Sequence, residues 1–258
     1  MSTIYFSGVD RVEYVDVLAQ ERAAAMISIE AWTQPLLDAL DQTSTFHVVD
    51  SGSFNPKLSL RTVEYYAQFI KLRGNVARWY ATSDTLRNQR ETDLYYAYML
   101  RLLPEECHDL LLWIWHYGSD ISHLHRGLEK HKRLGVGGLV SLLKEDQNKA
   151  LDTILNLASI IKQYNAVPHY FGVGSANIVK ALVGIHPDFS VDSATWLVGA
   201  KFGEIIDRDG RRYKADKGGF DWPKEALLRQ NIRQMKKWLL TPHEKSGYKQ
   251  IRLWNDAF

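Results

Sequence analysis

The stretch VPHYFGVGSANIVKALVGIHPDFSVDSATW, residues 167–196, contains a complete strand–helix–strand unit. Its first apolar run ends in glycines, its middle part has apolar residues at helical spacing, and its last part is again strand-like, with Asp192 inside the run. Two strands joined by a helix are typical of a parallel pair. The stretch therefore predicts an α/β fold built on a parallel sheet.

The same alternation continues on both sides of this stretch. We predict strands at 25–32, 46–52, 75–84, 110–118, 133–140, 167–174, 188–196 and 201–210. We predict helices at 62–74, 92–103, 121–131, 149–165, 176–184 and 223–240. About eight strands with no fingerprint glycine loop after the first favour a closed (β/α)8 barrel, the TIM barrel, over a doubly wound sheet. We expect one domain over 1–258, with a basic C-terminal extension over 208–258.

Composition limits the class of protein. The chain has 258 residues, of which 45% are hydrophobic and 24% charged, which suits one large globular domain. No apolar run approaches the roughly 18 residues of a membrane span. The N-terminus lacks the basic-then-apolar layout of a signal peptide, so we expect a cytoplasmic protein, in a cell or in an infected host. The single cysteine, Cys107, excludes an intrachain disulfide and a cysteine-rich zinc site, and we expect no metal and no cofactor.

Charge is distributed unevenly along the chain. The net charge is +2, but residues 208–258 hold 13 basic and 6 acidic side chains, whereas the preceding residues hold 19 and 24. Such asymmetry indicates a surface for a polyanion, although a solvated basic helix would give the same pattern. We expect Trp222 and Trp238 to pack in the core. The candidate nucleic-acid-binding residues are Lys201, Arg208, Arg211, Arg212, Lys214 and Lys217.

Carboxylates stand at the ends of three predicted strands. HVVDSGSF (47–54) places Asp50 directly after a buried run, and Asp84 and Asp192 hold similar positions in their strands. A single aspartate there is usually a turn-forming cap. Three of them share the carboxyl edge of a barrel, which is where such folds carry their chemistry. Three other strands end in glycines (HYG, GVGG and FGVG), which allow a flat ligand to approach the backbone.

These motifs resemble the tRNA-guanine transglycosylase superfamily. The likeness covers roughly residues 26–202: VVDSGSF resembles the family's DSGGF strand, and LGVGGLV, HYFGVG and DFSVD resemble its GGL loop, GVG strand end and nucleophile strand, in the same order. The resemblance implies a (β/α)8 barrel that exchanges a guanine base on a nucleic acid through a covalent glycosyl-enzyme. Two carboxyl groups are what such a double displacement requires.

The resemblance also implies roles for individual residues. Asp192 would be the nucleophile that attacks C1′, and Asp50 the general acid/base for the purine. Asp84 would accept hydrogen bonds from the purine edge, and His116 would bind the base or else be an ordinary packed histidine. The further base-binding positions are Ser51, Phe54, Gly118, Gly137, Gly138, Leu139, Phe171 and Gly172.

The sequence also departs from the tRNA enzymes. It has no cysteine-rich zinc insertion, SATWLVGA stands where those enzymes have a Pro-Thr-Arg run, and Tyr117 stands at their glutamine. These features are closer to the short phage and bacterial enzymes that insert 7-deazaguanines into DNA. The implied partners are double-stranded DNA and a free 7-deazaguanine base, such as 7-cyano-7-deazaguanine. The alternatives are a tRNA-guanine transglycosylase without zinc, a non-catalytic nucleic-acid-binding barrel, and a glycoside hydrolase.

Overall fold

The structure is a computed structural model that describes residues 2–52, 60–216 and 222–240. Phe54 and Lys217, two of the predicted binding residues, lie outside these ranges. Eight parallel strands close into a barrel in chain order, which confirms the predicted (β/α)8 class. The strands are β1 Thr3–Phe6, β2 Ala24–Ser28, β3 His47–Asp50, β4 Tyr80–Ala81, β5 Leu111–His116, β6 Arg133–Gly137, β7 Val167–Tyr170 and β8 Ser190–Ser193.

Helices cover the outside of the barrel. In the described ranges they are α1 Val12–Gln20, α2 Gln34–Thr43, α3 Leu60–Arg73, α4 Gln89–Leu102, α5 Ile121–Lys130, α6 Leu139–Glu145, α7 Gln147–Gln163, α8 Ala176–Ile185, α9 Thr195–Lys201 and α10 Lys224–Trp238. Short 3-10 turns occupy Ile29–Ala31, Gly74–Val76 and Glu105–Leu110. The six predicted helices are present within three residues at each end. Four helices were not predicted from the sequence: α1, α2, α6 and α9.

The predicted identities of the first and last barrel strands were wrong. The run at 201–210 does not form the eighth strand of the barrel. Its residues Glu204–Ile206 form β9, which pairs antiparallel with β10, Arg212–Lys214, in a separate two-stranded sheet. The barrel is instead closed by β1, which pairs with both β2 and β8 and places Tyr5 opposite Asp192. A four-residue strand is too short to show a clear pattern, so its role depends on pairing with a distant strand.

The seven predicted strands that belong to the barrel were all longer than the observed strands, most of all 75–84, of which only Tyr80–Ala81 is strand. Two of the seven show the cause. The run 133–140 is strand only to Gly137, because Gly138 adopts φ +77° and α6 begins at Leu139. The run 188–196 is strand over β8, and α9 begins two residues after it ends. Both strands pass almost directly into a helix. Apolar residues that belong to the helix had therefore extended the strand-like run.

Side chains fill the barrel interior. One buried cluster contains residues from alternate positions of the strands, and Phe171 packs against it. The cluster consists of Tyr5, Ala24, Met26, Val48, Trp79, Ala81, Leu112 and Ile114. The intervening strand residues, such as Val49 and Val191, pack outward against the helices. Because the interior is a packed core, a ligand can be received only at a rim.

A buried polar side chain of α10 helps to attach the β9–β10 hairpin to the barrel, beside the buried Ile205 and Ile206. Asn231 is fully buried, and its Oδ1 accepts a hydrogen bond of 2.8 Å from the backbone N–H of Ile206. Its Nδ2 donates to the carbonyl oxygens of Trp196 and Glu204 at 3.2 and 3.1 Å. One amide thus joins α9, β9 and α10, and it satisfies backbone groups that have no partner within a sheet.

Three further expectations can be compared with the described residues. Cys107 is buried at 6% exposure, as predicted for a packing residue. Trp238 is buried as predicted, but Trp222 is 39% exposed, so its predicted core position was wrong. Within the described ranges, no helix is both long and apolar enough to cross a membrane.

Candidate active site at the carboxyl rim of the barrel

The three predicted carboxylates meet at the carboxyl end of the barrel. Asp50 is the last residue of β3, Asp192 lies in β8, and Asp84 follows β4 by three residues. The pKa of Asp50 responds to the charges of both other aspartates, which places the three groups in one electrostatic neighbourhood. Strands that are far apart in the sequence therefore deliver three carboxyl groups to one rim.

Asp192 is held rigidly in a buried position. It points into the barrel from β8 and is 9% exposed. Its Oδ1 accepts a hydrogen bond of 2.7 Å from the backbone N–H of Gly172, which follows β7. The same oxygen lies 3.5 Å from Nε2 of His169. Within the described residues, both polar contacts fall on Oδ1, so the carboxylate has one anchored oxygen and one that remains for a ligand.

Gly172 makes this anchoring possible through its backbone conformation. Its φ is +70°, a backbone conformation that residues other than glycine rarely adopt. A Cβ atom at this position would lie 2.4 Å from Cγ2 of Val140. The glycine therefore allows the chain to turn immediately after β7 and to direct its N–H at Asp192. The structure places Gly172 beside Asp192, with this hydrogen bond between them.

Asp50 has the electrostatics of a proton carrier. Burial raises the pKa of Asp50 from 3.8 to about 7, with further contributions from the negative charges of Asp84 and then Asp192. Hydrogen bonds from the backbone N–H groups of Gly52 and Ser51 oppose this shift and are too weak to cancel it. The Gly52 contact measures 3.3 Å. A carboxyl group that titrates near neutrality can both donate and accept a proton at physiological pH.

Asp84 is paired with His116. The two side chains approach to 3.0 Å between Oδ2 and Nε2, and His116 is 1% exposed at the end of β5. The backbone of His116 is fixed by Gln89 of α4, whose Oε1 accepts its N–H at 2.9 Å. The Gln89 amide also donates to the carbonyl of Ile114 at 2.9 Å. The predicted base-binding residues Asp84 and His116 are thus in contact, and a helix residue positions one of them.

The glycines of β6 leave space for the His116 ring. A Cβ at Gly137 would lie 2.8 Å from Nδ1 of His116, which is its neighbour in the β5–β6 pairing. Gly138 is at the N-cap of α6. The side chain of Leu139 packs in the outer core, so only the backbone of Leu139 can face the rim. Gly118 has φ +92° and no atom within 4 Å of where a Cβ would be.

Phe171 forms part of the floor of the site. It is half-buried, and its ring lies over Gly135, where a Cβ would approach Cε2 to 2.5 Å. It also makes an edge contact of 4.5 Å between ring centroids with His169. The ring packs across the top of the interior cluster, at the position where we predicted a wall of the base pocket. Ser51 is buried at 3% exposure beside Asp50.

Three residues at this rim were not predicted from the sequence: Glu30, Gln89 and His169. Glu30 follows β2, and its side chain packs over Gly52, with Cγ 2.9 Å from where a Cβ would be. Gln89 could not be found from a local pattern because it acts from a helix on a neighbouring strand. His169 could have been found, since it is two residues before Phe171 and therefore faces the same side of its strand.

The predicted nucleic-acid-binding residues are divided between two ends of the hairpin. The β9–β10 turn lies beside the start of α8, because a Cβ at Gly210 would be 2.9 Å from that of Ala176. Arg208 and Arg211 are therefore near the carboxyl rim, and both are exposed.

The other described cations lie toward the opposite end. Lys214 donates to the carbonyl of Phe202 at 2.6 Å, just after Lys201 at the end of α9. Arg212 lies 3.6 Å from Glu204. The predicted set is thus spread along the hairpin: Arg208 and Arg211 are at the turn beside α8, whereas Lys214 and Arg212 contact Phe202 and Glu204.

Acidic and imidazole groups at the rim do not form a metal centre in the described part of the chain, since no three His, Cys, Asp or Glu side chains there are grouped to hold an ion.

What the fold and site define is a (β/α)8 barrel with three convergent carboxyl groups. Comparisons with family models and with curated proteins find no match to this sequence. The family resemblance therefore stays a prediction.

Proposed function

We propose that this protein exchanges guanine in DNA for a free 7-deazaguanine base through a covalent ester between Asp192 and the deoxyribose. The observation that carries the proposal is the contrast between two carboxyl groups on one rim. Asp192 has one oxygen anchored by a backbone N–H, whereas burial raises the pKa of Asp50 to about 7. An anchored nucleophile beside a neutral-pH acid is the pair that base exchange requires.

The first displacement uses these groups as nucleophile and acid. Oδ2 of Asp192 forms a bond to C1′ as the bond from C1′ to N9 of guanine breaks. The bonding electrons pass to the leaving purine, and the carboxyl proton of Asp50 is transferred to it. The second displacement reverses these roles: Asp50 takes a proton from the incoming 7-deazaguanine, whose ring nitrogen attacks C1′ and releases the Asp192 carboxylate. No redox partner is needed.

Recognition of the base falls to Asp84 and the glycine backbones. A carboxylate only accepts hydrogen bonds, so Asp84 suits the adjacent N–H groups of a guanine edge. Contact with His116 at 3.0 Å orients Asp84, and Gly137 and Gly138 present backbone groups without side chains beside it. In a duplex the target guanine must first leave the stack, at a cost of a few kcal/mol.

The test is trapping of the covalent intermediate. Wild-type protein is incubated with either plasmid DNA or unmodified tRNA, and with either labelled guanine or 7-cyano-7-deazaguanine as the free base. Each reaction is then denatured, and the protein is separated from the nucleic acid. We expect label exchange and a protein–DNA adduct with wild type, and neither with Asp192→Asn. Asp188→Asn, two residues before β8 begins, is the matched control and should retain both. Faster exchange into tRNA would assign the tRNA alternative, and binding without exchange would assign the non-catalytic one.

The DNA component has its own test in the two pairs of hairpin cations. If DNA lies across the carboxyl rim, changing Arg208 and Arg211 to glutamine should lower the slope of log affinity against log salt by about two. The same change at Arg212 and Lys214, which lie toward the other end of the hairpin, should leave the slope nearly unchanged. Equal effects of the two double variants would contradict binding across this rim.

A further inference from the structure

A buried histidine lies directly beneath the anchored carboxylate. His169 points into the barrel from β7, is 1% exposed, and is opposite Ser190 in the β7–β8 pairing. Its Nδ1 is 3.0 Å from the hydroxyl oxygen of Ser190, and its Nε2 is 3.5 Å from Oδ1 of Asp192. Among the described residues, Nε2 makes no hydrogen bond of good geometry. Asp192 is therefore the acceptor toward which this buried nitrogen is directed.

The chemistry of the neighbours decides which ring nitrogen carries the proton. A carboxylate can only accept, so Nε2 must carry hydrogen for its approach to Asp192 to be favourable. In the neutral ring Nδ1 then accepts, and the hydroxyl of Ser190 is its donor. The opposite tautomer would place a lone pair against the carboxylate inside a packed core. Ser190 thus fixes the tautomer, and the 3.5 Å contact is of the kind that shortens when the reacting complex forms.

The surroundings of the ring make it a positioning group. Tyr5, Trp79 and Phe171 surround it, with centroid distances of 5.8, 4.8 and 4.5 Å. These rings pack around the imidazole, which is 1% exposed, and hold it in place beneath Asp192. Asp50, whose pKa responds to the charge of Asp192, is a carboxyl group and cannot donate a hydrogen bond to Asp192 when it is ionised.

We infer that His169, oriented by Ser190, acts with the backbone N–H of Gly172 to hold Oδ1 of Asp192 and thereby assigns Oδ2 as the oxygen that attacks the sugar. This inference rests on the proposed function for its reaction but not for its hydrogen bonds. When Oδ2 becomes an ester oxygen, Oδ1 becomes a neutral carbonyl. Hydrogen bonds to a carboxylate are stronger than those to a neutral carbonyl. The two donors therefore favour release of the ester in the second displacement.

The hydrogen bond is tested by NMR without any substrate. In protein labelled with nitrogen-15 in its histidines, His169 should be the Nε2–H tautomer, and its proton resonance should move upfield in Asp192→Ala. His47 is the internal control: it is also buried, its Nε2 makes no hydrogen bond to any residue that the structure describes, and it faces outward from β3. An Nδ1–H tautomer, or a resonance that is the same in both proteins, would overturn the inference.

The catalytic consequence is tested by measuring the ratio of covalent adduct to free enzyme during exchange. In His169→Leu the ratio of trapped adduct to free enzyme should rise roughly fivefold while exchange slows, because a charge-assisted bond to the released carboxylate is lost. His169→Gln restores a donor and should recover most of the wild-type ratio, which a purely structural role would not predict. His47→Leu should leave the ratio unchanged.

The outcomes separate the two proposals. A wild-type protein with the expected tautomer and Asp192-dependent resonance, but with no adduct on any nucleic acid, would reject base exchange and retain the positioning of Asp192. An adduct that forms normally, with a ratio that does not change in folded His169→Leu, would reject the role of His169 and retain base exchange. If His169→Leu does not fold, His169→Gln and Ser190→Ala are compared with wild type in the same way.

Discussion

Replacing Asp50 by asparagine should stabilise the protein at alkaline pH. Burial and the charges of Asp84 and Asp192 raise the pKa of Asp50 from 3.8 to about 7 in the folded state. The unfolded chain releases this proton near pH 4, whereas the folded protein retains it to about pH 7. Folding stability therefore falls as the pH rises between these two values, and the penalty is complete above the folded-state value. Asparagine has no proton to lose and avoids the penalty.

The magnitude follows from the size of the pKa change. One pKa unit corresponds to about 1.4 kcal/mol, so ionised Asp50 costs the folded state on the order of 4 kcal/mol. About two of the three pKa units of this destabilisation develop between pH 5 and pH 8.5. The free energy of unfolding should therefore fall by roughly 2–3 kcal/mol across that range because of Asp50. Relaxation of the rim around the charge would make the measured value smaller. The residue proposed as the proton carrier is thus one that destabilises the fold at high pH.

Urea unfolding of wild type and Asp50→Asn at about pH 5 and about pH 8.5 measures the effect as a double difference. The free energy of unfolding of Asp50→Asn minus that of wild type should increase by roughly 2–3 kcal/mol from the lower to the higher pH. Asp16→Asn, on the exposed face of α1, is the matched control and should show no such growth. An advantage that is the same at both pH values would show that Asp50 ionises as an ordinary carboxyl group, and the assignment of Asp50 as acid and base would lose its support.

Two further changes test the packing that supports the rim. Gly137→Ala should displace the His116 ring, since the new Cβ would lie 2.8 Å from Nδ1, and should cost about 1–3 kcal/mol in urea unfolding together with a weaker affinity for guanine. The control is Gly184→Ala in α8, where a Cβ would have no atom within 4 Å, and it should stabilise the protein by about 0.5–1 kcal/mol. Equal effects of the two changes would refute the steric argument. Asn231→Ala should cost about 3 kcal/mol, because it leaves the N–H of Ile206 and two carbonyl groups without partners, and a loss near zero would mean that water replaces the amide.

Part of the candidate site could be predicted from local sequence. Asp50 and Asp192 interrupt apolar runs, and a carboxylate in such a run is conspicuous because burial of a charge is costly without a purpose. Gly138 and Gly172 follow strands at turns where φ is positive, so they too are visible as glycines at strand ends. The positions of these residues along the chain were sufficient to place them at one rim once a barrel was assumed.

Other features of the site could not be predicted because they depend on contacts between distant segments. Gln89 fixes His116 from a helix 27 residues earlier in the chain. The raised pKa of Asp50 results from burial and from two aspartates on other strands. A local pattern shows that a side chain is ionisable, but its proton affinity is set by the charges and the solvent exposure that folding creates.

The sequence by itself determined the class of fold and the residue types at the rim, because strand and helix periodicities are local and strand ends are marked by glycine and aspartate. Only the tertiary structure decided which segment closes the barrel. Closure depends on hydrogen bonds between β1 and β8, almost 190 residues apart, and no local pattern distinguishes Thr3–Phe6 from Glu204–Ile206 as the partner of β8. The same pairing sets the register that places Tyr5 beside Asp192, and the β7–β8 pairing places His169 beside Ser190.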